Sequence, residues 1–139
     1  MEKNPTWIAV VAGAMERSDG QFLFQRRPLE KHHGGLWEFP GGKVEPGENP
    51  RKALVRELYE ELTVAVDPGA VQPLLFAEEA PARDRPGIVI LLYRVSAWQG
   101  KPVAEAGADI GWFRLSEAGR LPMPPLDTVL LESLRSGAQ

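Results

Sequence analysis

A mixed α/β or α+β sandwich is the fold class this sequence predicts, on three observations. Strand-like apolar runs alternate with two helical patterns along one 139-residue chain, which calls for sheet and helix sharing a core. Both Gly (14) and Pro (13) are abundant without a collagen period, so turns are many and a helical bundle is excluded. Hydrophobic residues make up 43% and charged residues 25%, enough apolar matter for one core. The length suits a single domain over 1–139. With no Cys, disulfide scaffolds, zinc–thiolate sites and thiol nucleophiles are excluded. A net charge of −3 argues against a nucleic-acid partner, which would demand a basic face. No apolar run is long enough to span a bilayer, and the opening MEKNPTWIAV has no basic leader region. No membrane or export segment is therefore expected, and the expected location is cytoplasmic.

The elements follow in order. Residues 7–15 are mostly apolar and end at Ser18-Asp19-Gly20, a turn signal, after which residues 21–25 alternate polar and apolar. The two runs are expected to pair as a hairpin. A loop, PLEKHHGGL, leads to Trp37-Glu38-Phe39 and then to the Gly/Pro-rich PGGKVEPGENP. From Asn49 the pattern turns helical: Asn49 suits the N-cap, Pro50 suits the first helical position, and Leu54, Leu58 and Leu62 form the buried stripe. Residues 71–77 and 88–98 read as strands, Gln99-Gly100-Lys101 as a turn, and residues 110–115 as a further strand. After Pro124-Pro125, Asp127 or Thr128 is expected to cap a last helix that runs through Leu134 and ends near Gly137.

The chemistry sits in GGKVEPGENPRKALVRELYEELTV, residues 41–64. Glu57, Glu60 and Glu61 stand at i, i+3 and i+4, so they share one arc of about 100° beside the leucine stripe. Like charges at i,i+4 repel, and something must offset that. A solvated acidic face would do, with Arg56 paired to Glu60 one turn on. So would a hard divalent cation such as Mg²⁺, which takes oxygen ligands and usually shares them with a substrate phosphate. The preceding loop carries Gly41, Gly42 and Gly47, which allow close backbone approach, and Glu48 stands at the helix entrance. This combination suits a metal–diphosphate site better than a plain surface.

Residues 42–64 resemble the Nudix hydrolase box, G-x5-E-x7-R-E-U-x-E-E-x-G-U, where U is a bulky aliphatic. Gly42, Glu48, Arg56, Glu57, Leu58, Glu60, Glu61 and Val64 all fall in register. The one departure is Thr63, where the family has a Gly that closes the helix in the left-handed conformation. A β-branched residue there costs about 1–2 kcal/mol, so a reshaped helix end is expected. The resemblance implies an α/β/α sandwich around a mixed sheet. It also implies a Mg²⁺ site (Mn²⁺ as substitute) held by Glu57, Glu60 and Glu61 with the backbone carbonyl of Gly41 or Gly42. In it Arg56 braces the carboxylates, and the general base is one of Glu48, Glu57 and Glu105. Glu105 is either a further acidic ligand or an exposed loop carboxylate.

Arg27, the run Gly35-Leu36-Trp37-Glu38-Phe39-Pro40 and the PPLD stretch look like the MutT branch of that family. The likeness implies hydrolysis of nucleoside triphosphates to monophosphate and pyrophosphate, including modified nucleotides such as 8-oxo-dGTP. Arg27 is a candidate to grip phosphates, or else a surface cation. Phe39 and Leu126 are candidates to flank the base. Asp127 stands where the 8-oxoguanine-reading member has Asn. An ionised carboxylate only accepts hydrogen bonds, which would favour the amine of cytosine, as in members that prefer cytidine nucleotides; alternatively, Asp127 is a helix cap alone. His32 and His33 read as loop residues without a metal role, and Trp7, Trp37, Trp98 and Trp112 as packing. Two other functions compete. Pro81 lies near a position where ADP-ribose-type hydrolases keep a proline. A nucleotide-binding module without catalysis would tend to lose the box carboxylates, which this chain keeps. Monomer and dimer remain open.

Overall fold

The computed structural model describes residues 7–137; residues 1–6, on which part of the export expectation rests, lie outside the described residues. In chain order the elements are β1 (Trp7–Met15), β2 (Phe22–Arg26), β3 (Trp37–Glu38), β4 (Gly41–Lys43), α1 (Pro50–Leu62), β5 (Val71–Glu79), β6 (Gly87–Val95), β7 (Asp109–Phe113), α2 (Leu115–Ala118) and α3 (Pro125–Gly137), with a 3₁₀ turn at Pro68–Ala70. One sheet has the order β4-β1-β6-β5, the other β3-β2-β7. In the first, β1 and β6 run parallel from Trp7 opposite Gly87 to Met15 opposite Val95, while β4 and β5 are antiparallel outside them. The sheet is therefore mixed.

Strand β1 is apolar throughout because both of its faces are covered. Val11 and Met15 meet Leu54, Leu58 and Leu62 of α1 on one side. Ala12 and Ala14 meet the layer containing Leu130, Leu131 and Leu134 of α3 on the other. Helix, sheet and helix thus stack as an α/β/α sandwich. The α1 helix starts as its sequence dictates: Asn49 Oδ1 accepts from Lys52 N at 2.8 Å and Pro50 opens the first turn.

Three expectations need correction. The hairpin of β1 with β2 is not formed, since the two strands belong to different sheets and meet only at a single bridge, Glu16 to Phe22. The reason is competition for edges: β6 takes one edge of β1 and β4 the other. The strand expected over 88–98 stops at Val95, leaving Trp98 to stack on Trp112 with ring centroids 6.1 Å apart. Trp7, 44% exposed, packs over Gly87 of the neighbouring strand, the strand packing expected of it. The last helix starts at Pro125, so neither Asp127 nor Thr128 caps it. Pro125 fits the first helical position, and Thr128 Oγ1 donates back to Pro124 O at 3.2 Å.

The end of α1 is not reshaped either. Thr63 itself takes the left-handed conformation (φ 58°, ψ 32°) and its N–H donates to Tyr59 O. The flanks leave it no choice, because Val64 is fully buried, Ala65 bridges Gln99, and Val103 N donates to Leu62 O. Thr63→Gly should relieve this strain and stabilise the protein by about 1 kcal/mol. A thermal melt checks it: an increase of roughly 3 °C is expected, and an unchanged or lower Tm would show that the threonine is unstrained.

Candidate active site

Arg56, one turn into α1, organises the mouth of the site. Its Nε and Nη2 donate to both oxygens of Glu48 at 2.7 and 2.9 Å, Nη1 reaches Glu57 at 3.0 Å and Glu60 at 3.4 Å, and Nη2 also donates to Lys43 O. Such a planar fork serves several acceptors at once, which a lysine cannot do. The Arg56 bonds, aided by the Glu45 backbone N–H, hold the Glu48 carboxyl at about 2. Both Glu48 oxygens are thus engaged by Arg56.

Glu57 lies against the backbone of Gly42, where an added Cβ would fall 2.3 Å from its carboxyl carbon. Only glycine lets strand and carboxylate approach so closely. At Gly41 a Cβ would strike Val11 O, so that residue fixes β4 on β1. Burial raises the Glu57 carboxyl above its ordinary range, Arg56 opposes the rise, and Glu60 and Glu45 add to it.

Glu61 turns away from Arg56 into a narrow cleft of about 90 Å³ lined by Gln25, Arg27, Lys31, Glu38, Glu105 and Glu61 itself. Burial pushes its carboxyl up to about 8; the Gln25 amide opposes this, and Glu57, Glu38 and Glu105 reinforce it. Gln25 Nε2 donates to Glu61 Oε1 at 2.8 Å and to Glu38 Oε2 at 3.3 Å. Arg27 Nη1 pairs with Glu38 at 3.2 Å, and its Nε donates to His32 O at 2.7 Å. A larger cavity, about 580 Å³ between Phe22, Leu74, Arg94, Arg114 and Leu134, holds none of these groups.

Among the described residues no group of three His, Cys, Asp or Glu side chains is already arranged to hold a metal ion. Like charges separate, and each takes the nearest donor. Glu57 and Glu60 take Arg56, and Glu61 takes Gln25. The donor set nevertheless fits a hard divalent cation, since it offers carboxylate oxygens beside a close backbone and no nitrogen or sulfur ligand. Glu57, Glu60, Glu61 and the Gly41–Gly42 carbonyls would hold such an ion. When bound it would neutralise phosphate charge and lower the pKa of a water.

Phe39, which does not line the cleft, keeps its ring in the core. That ring is 3% exposed and packs on Phe24 at 4.8 Å. Its backbone N–H instead donates to Asp127 Oδ2 at 3.1 Å, while Leu126 packs half-buried beside the α3 layer. Glu105 is exposed at the cleft rim. Gln25 and Glu38 were not singled out from the sequence. The available signal was a carboxylate next to Trp37 and Phe39, opposite the cation Arg27.

Asp127 is buried, and its carboxyl is pushed up to about 7, by burial first and by Glu38 second, against the Phe39 N–H and Arg27. The folded protein therefore holds this proton more tightly than the unfolded chain does. Stability is greatest where both states are protonated, and it falls as pH rises from the ordinary value of 3.8 to about 7. Asp127→Asn should flatten this fall and raise Tm relative to the parent at pH 8. Melts from pH 4 to 8 check it, and parallel curves for the two proteins would refute it.

Carboxylates on the helix after a glycine loop, set on a mixed-sheet sandwich, are the arrangement expected of a hydrolase that handles phosphate groups through a metal. The family model described as a NUDIX domain matches residues 6–134. The chain is 39% identical to a CTP pyrophosphohydrolase of Escherichia coli over 91% of this chain and 90% of that protein. It is 34% identical to an 8-oxo-dGTP diphosphatase of Proteus vulgaris, over 78% of this chain and 91% of the relative. The solution structure of the Escherichia coli ORF135 protein superimposes with TM-score 0.80 at 36% identity, covering 95% of this chain and 93% of that one. The chain belongs to the NUDIX family and is a Nudix hydrolase, an enzyme class that generally requires a divalent metal. No helix among the described residues is long and apolar enough to cross a membrane.

Proposed function

We propose that the protein hydrolyses a nucleoside triphosphate with Mg²⁺ (Mn²⁺ as substitute), releasing nucleoside monophosphate and pyrophosphate. Water is split across the α–β phosphoanhydride: its oxygen bonds to one of the two bridged phosphorus atoms, the bridging P–O bond breaks, the electron pair leaves with the other phosphate group, and the water proton passes to the general base. Ordinary or modified nucleotides of the (d)CTP type are the leading substrates, with 8-oxo-dGTP next. The supporting observation is the cleft itself, lined by Glu61, Glu38 and Glu105 together with Arg27, with the buried Asp127 within electrostatic reach of Glu38 and Arg27. The likeness to a CTP pyrophosphohydrolase supports the same base. Glu48, Glu57 and Glu105 are the candidates for general base, Glu48 being the one most constrained by Arg56. Asp127 and Leu126 are the residues we assign to the base, and Arg27 to the phosphates. A cytoplasmic setting suits a nucleotide substrate.

A turnover screen over common and oxidised (d)NTPs and ADP-ribose, with products identified, tests the reading. Pyrophosphate and monophosphate should appear, with dCTP preferred over dUTP. Asp127→Asn should move the dCTP:dUTP ratio of kcat/KM toward unity, because an amide can present either a donor or an acceptor. Inorganic phosphate as the first product, or turnover of ADP-ribose alone, would overturn the proposal.

A further inference from the structure

Gln25 is one of two buried polar or charged side chains among the described residues, at 6% exposure. It sits on β2 between Glu38 of β3 and Ile110 of β7. An apolar residue would fill this place at lower desolvation cost, so the amide needs a reason. Its geometry supplies one. An amide nitrogen carries two N–H groups and no charge, and here both point at carboxylates, Glu61 at 2.8 Å and Glu38 at 3.3 Å. Arg27 holds Glu38 from the other side. The result is a row, Arg27–Glu38–Gln25–Glu61, in which a neutral double donor separates two acids that would otherwise face each other directly.

We propose that Gln25 is a positioning residue for the divalent-cation site. By occupying Glu61 Oε1 it fixes the side-chain rotamer and leaves Oε2 as the oxygen available to the metal. By holding Glu38 with its second N–H it keeps that carboxylate from competing for the ion. A neutral donor does this without cancelling the negative charge that attracts the cation, as a lysine would. Partners that orient a metal ligand in this way are typically worth 10–100-fold in metal affinity or activity. The proposal rests on the metal reading of Glu57, Glu60 and Glu61 given above.

Two variants remove the donors. Gln25→Met keeps the length of the side chain, and Gln25→Val suits a strand, so a folding failure of one leaves the other to test. The protein, stripped with chelator, is titrated with Mn²⁺, and free ion is read by electron paramagnetic resonance; melts run in parallel. In both variants the Mn²⁺ dissociation constant should rise about tenfold or more. The Mg²⁺ concentration giving half-maximal turnover should rise in step, and the loss of turnover should shrink as Mg²⁺ is increased. A purely structural role would lower Tm and turnover and leave metal affinity where it was; that result overturns the proposal. Glu61→Gln separates the two ideas. If it weakens Mn²⁺ binding while the Gln25 variants do not, the role of Gln25 falls and the metal site stands. If Glu61→Gln leaves Mn²⁺ binding unchanged, the metal reading falls and takes the proposal with it.

Discussion

Glu57→Gln and Glu61→Gln should each lower kcat by at least about 10²-fold at saturating Mg²⁺, a loss in the range of other preorganised charge stabilisers. The amide keeps the shape of the carboxylate and removes its charge, so the fold is spared and the electrostatics are not. Glu57 sits against the β4 backbone at Gly42 and Glu61 lines the cleft. Steady-state turnover with a Mg²⁺ titration measures the loss, and circular dichroism controls for folding. Near-normal kcat in both variants would remove these residues from the metal site.

Arg56→Met should be the second largest loss, about 10- to 100-fold in kcat, together with lowered stability. The change leaves the carboxylates of Glu48, Glu57 and Glu60 facing one another without the cation that now reaches all three. The side chain is 23% exposed and Glu60 56%, so solvent screens part of that repulsion and the stability term is the smaller one. Arg56→Lys should recover little. An ammonium is a point donor and cannot grip both oxygens of Glu48 while bonding the Lys43 carbonyl. Wild-type kcat in either variant would show that the guanidinium is ornamental.

What could be read in the sequence was local or periodic. The α1 helix announced itself through a cap, a proline and a leucine stripe, and those features fix its start to the residue. The pairing of β1 was not legible, because which strand wins an edge depends on β6, far along the chain. Strands β3 and β4 and helix α2 are two to four residues long, too short to show a period. In the site, the box carboxylates and Arg56 stood out by spacing. Gln25 did not, since a polar residue in a strand normally marks the wet face, and here β2 is buried on both sides through Gln25. Phe39 was a base-flanking candidate only through the family likeness, and burial is not legible at one position: this ring joins the α3 layer, and its backbone N–H donates to Asp127.

The parallel union of β1 with β6 sets an order of events during synthesis. Strand β1 emerges first, yet the neighbour it pairs with along its whole length is made only after α1, β5 and the intervening turns. Until Val95 is out, a nine-residue apolar ribbon waits without that neighbour. Closing so long a loop before the contact is rewarded slows folding and lengthens the exposure of a sticky segment. The helix α1 can form meanwhile from its own cap and lie over one face of the ribbon. The helix that carries the carboxylates on one side thus serves, through Leu54, Leu58 and Leu62 on the other, as an internal shield against aggregation for the nascent chain.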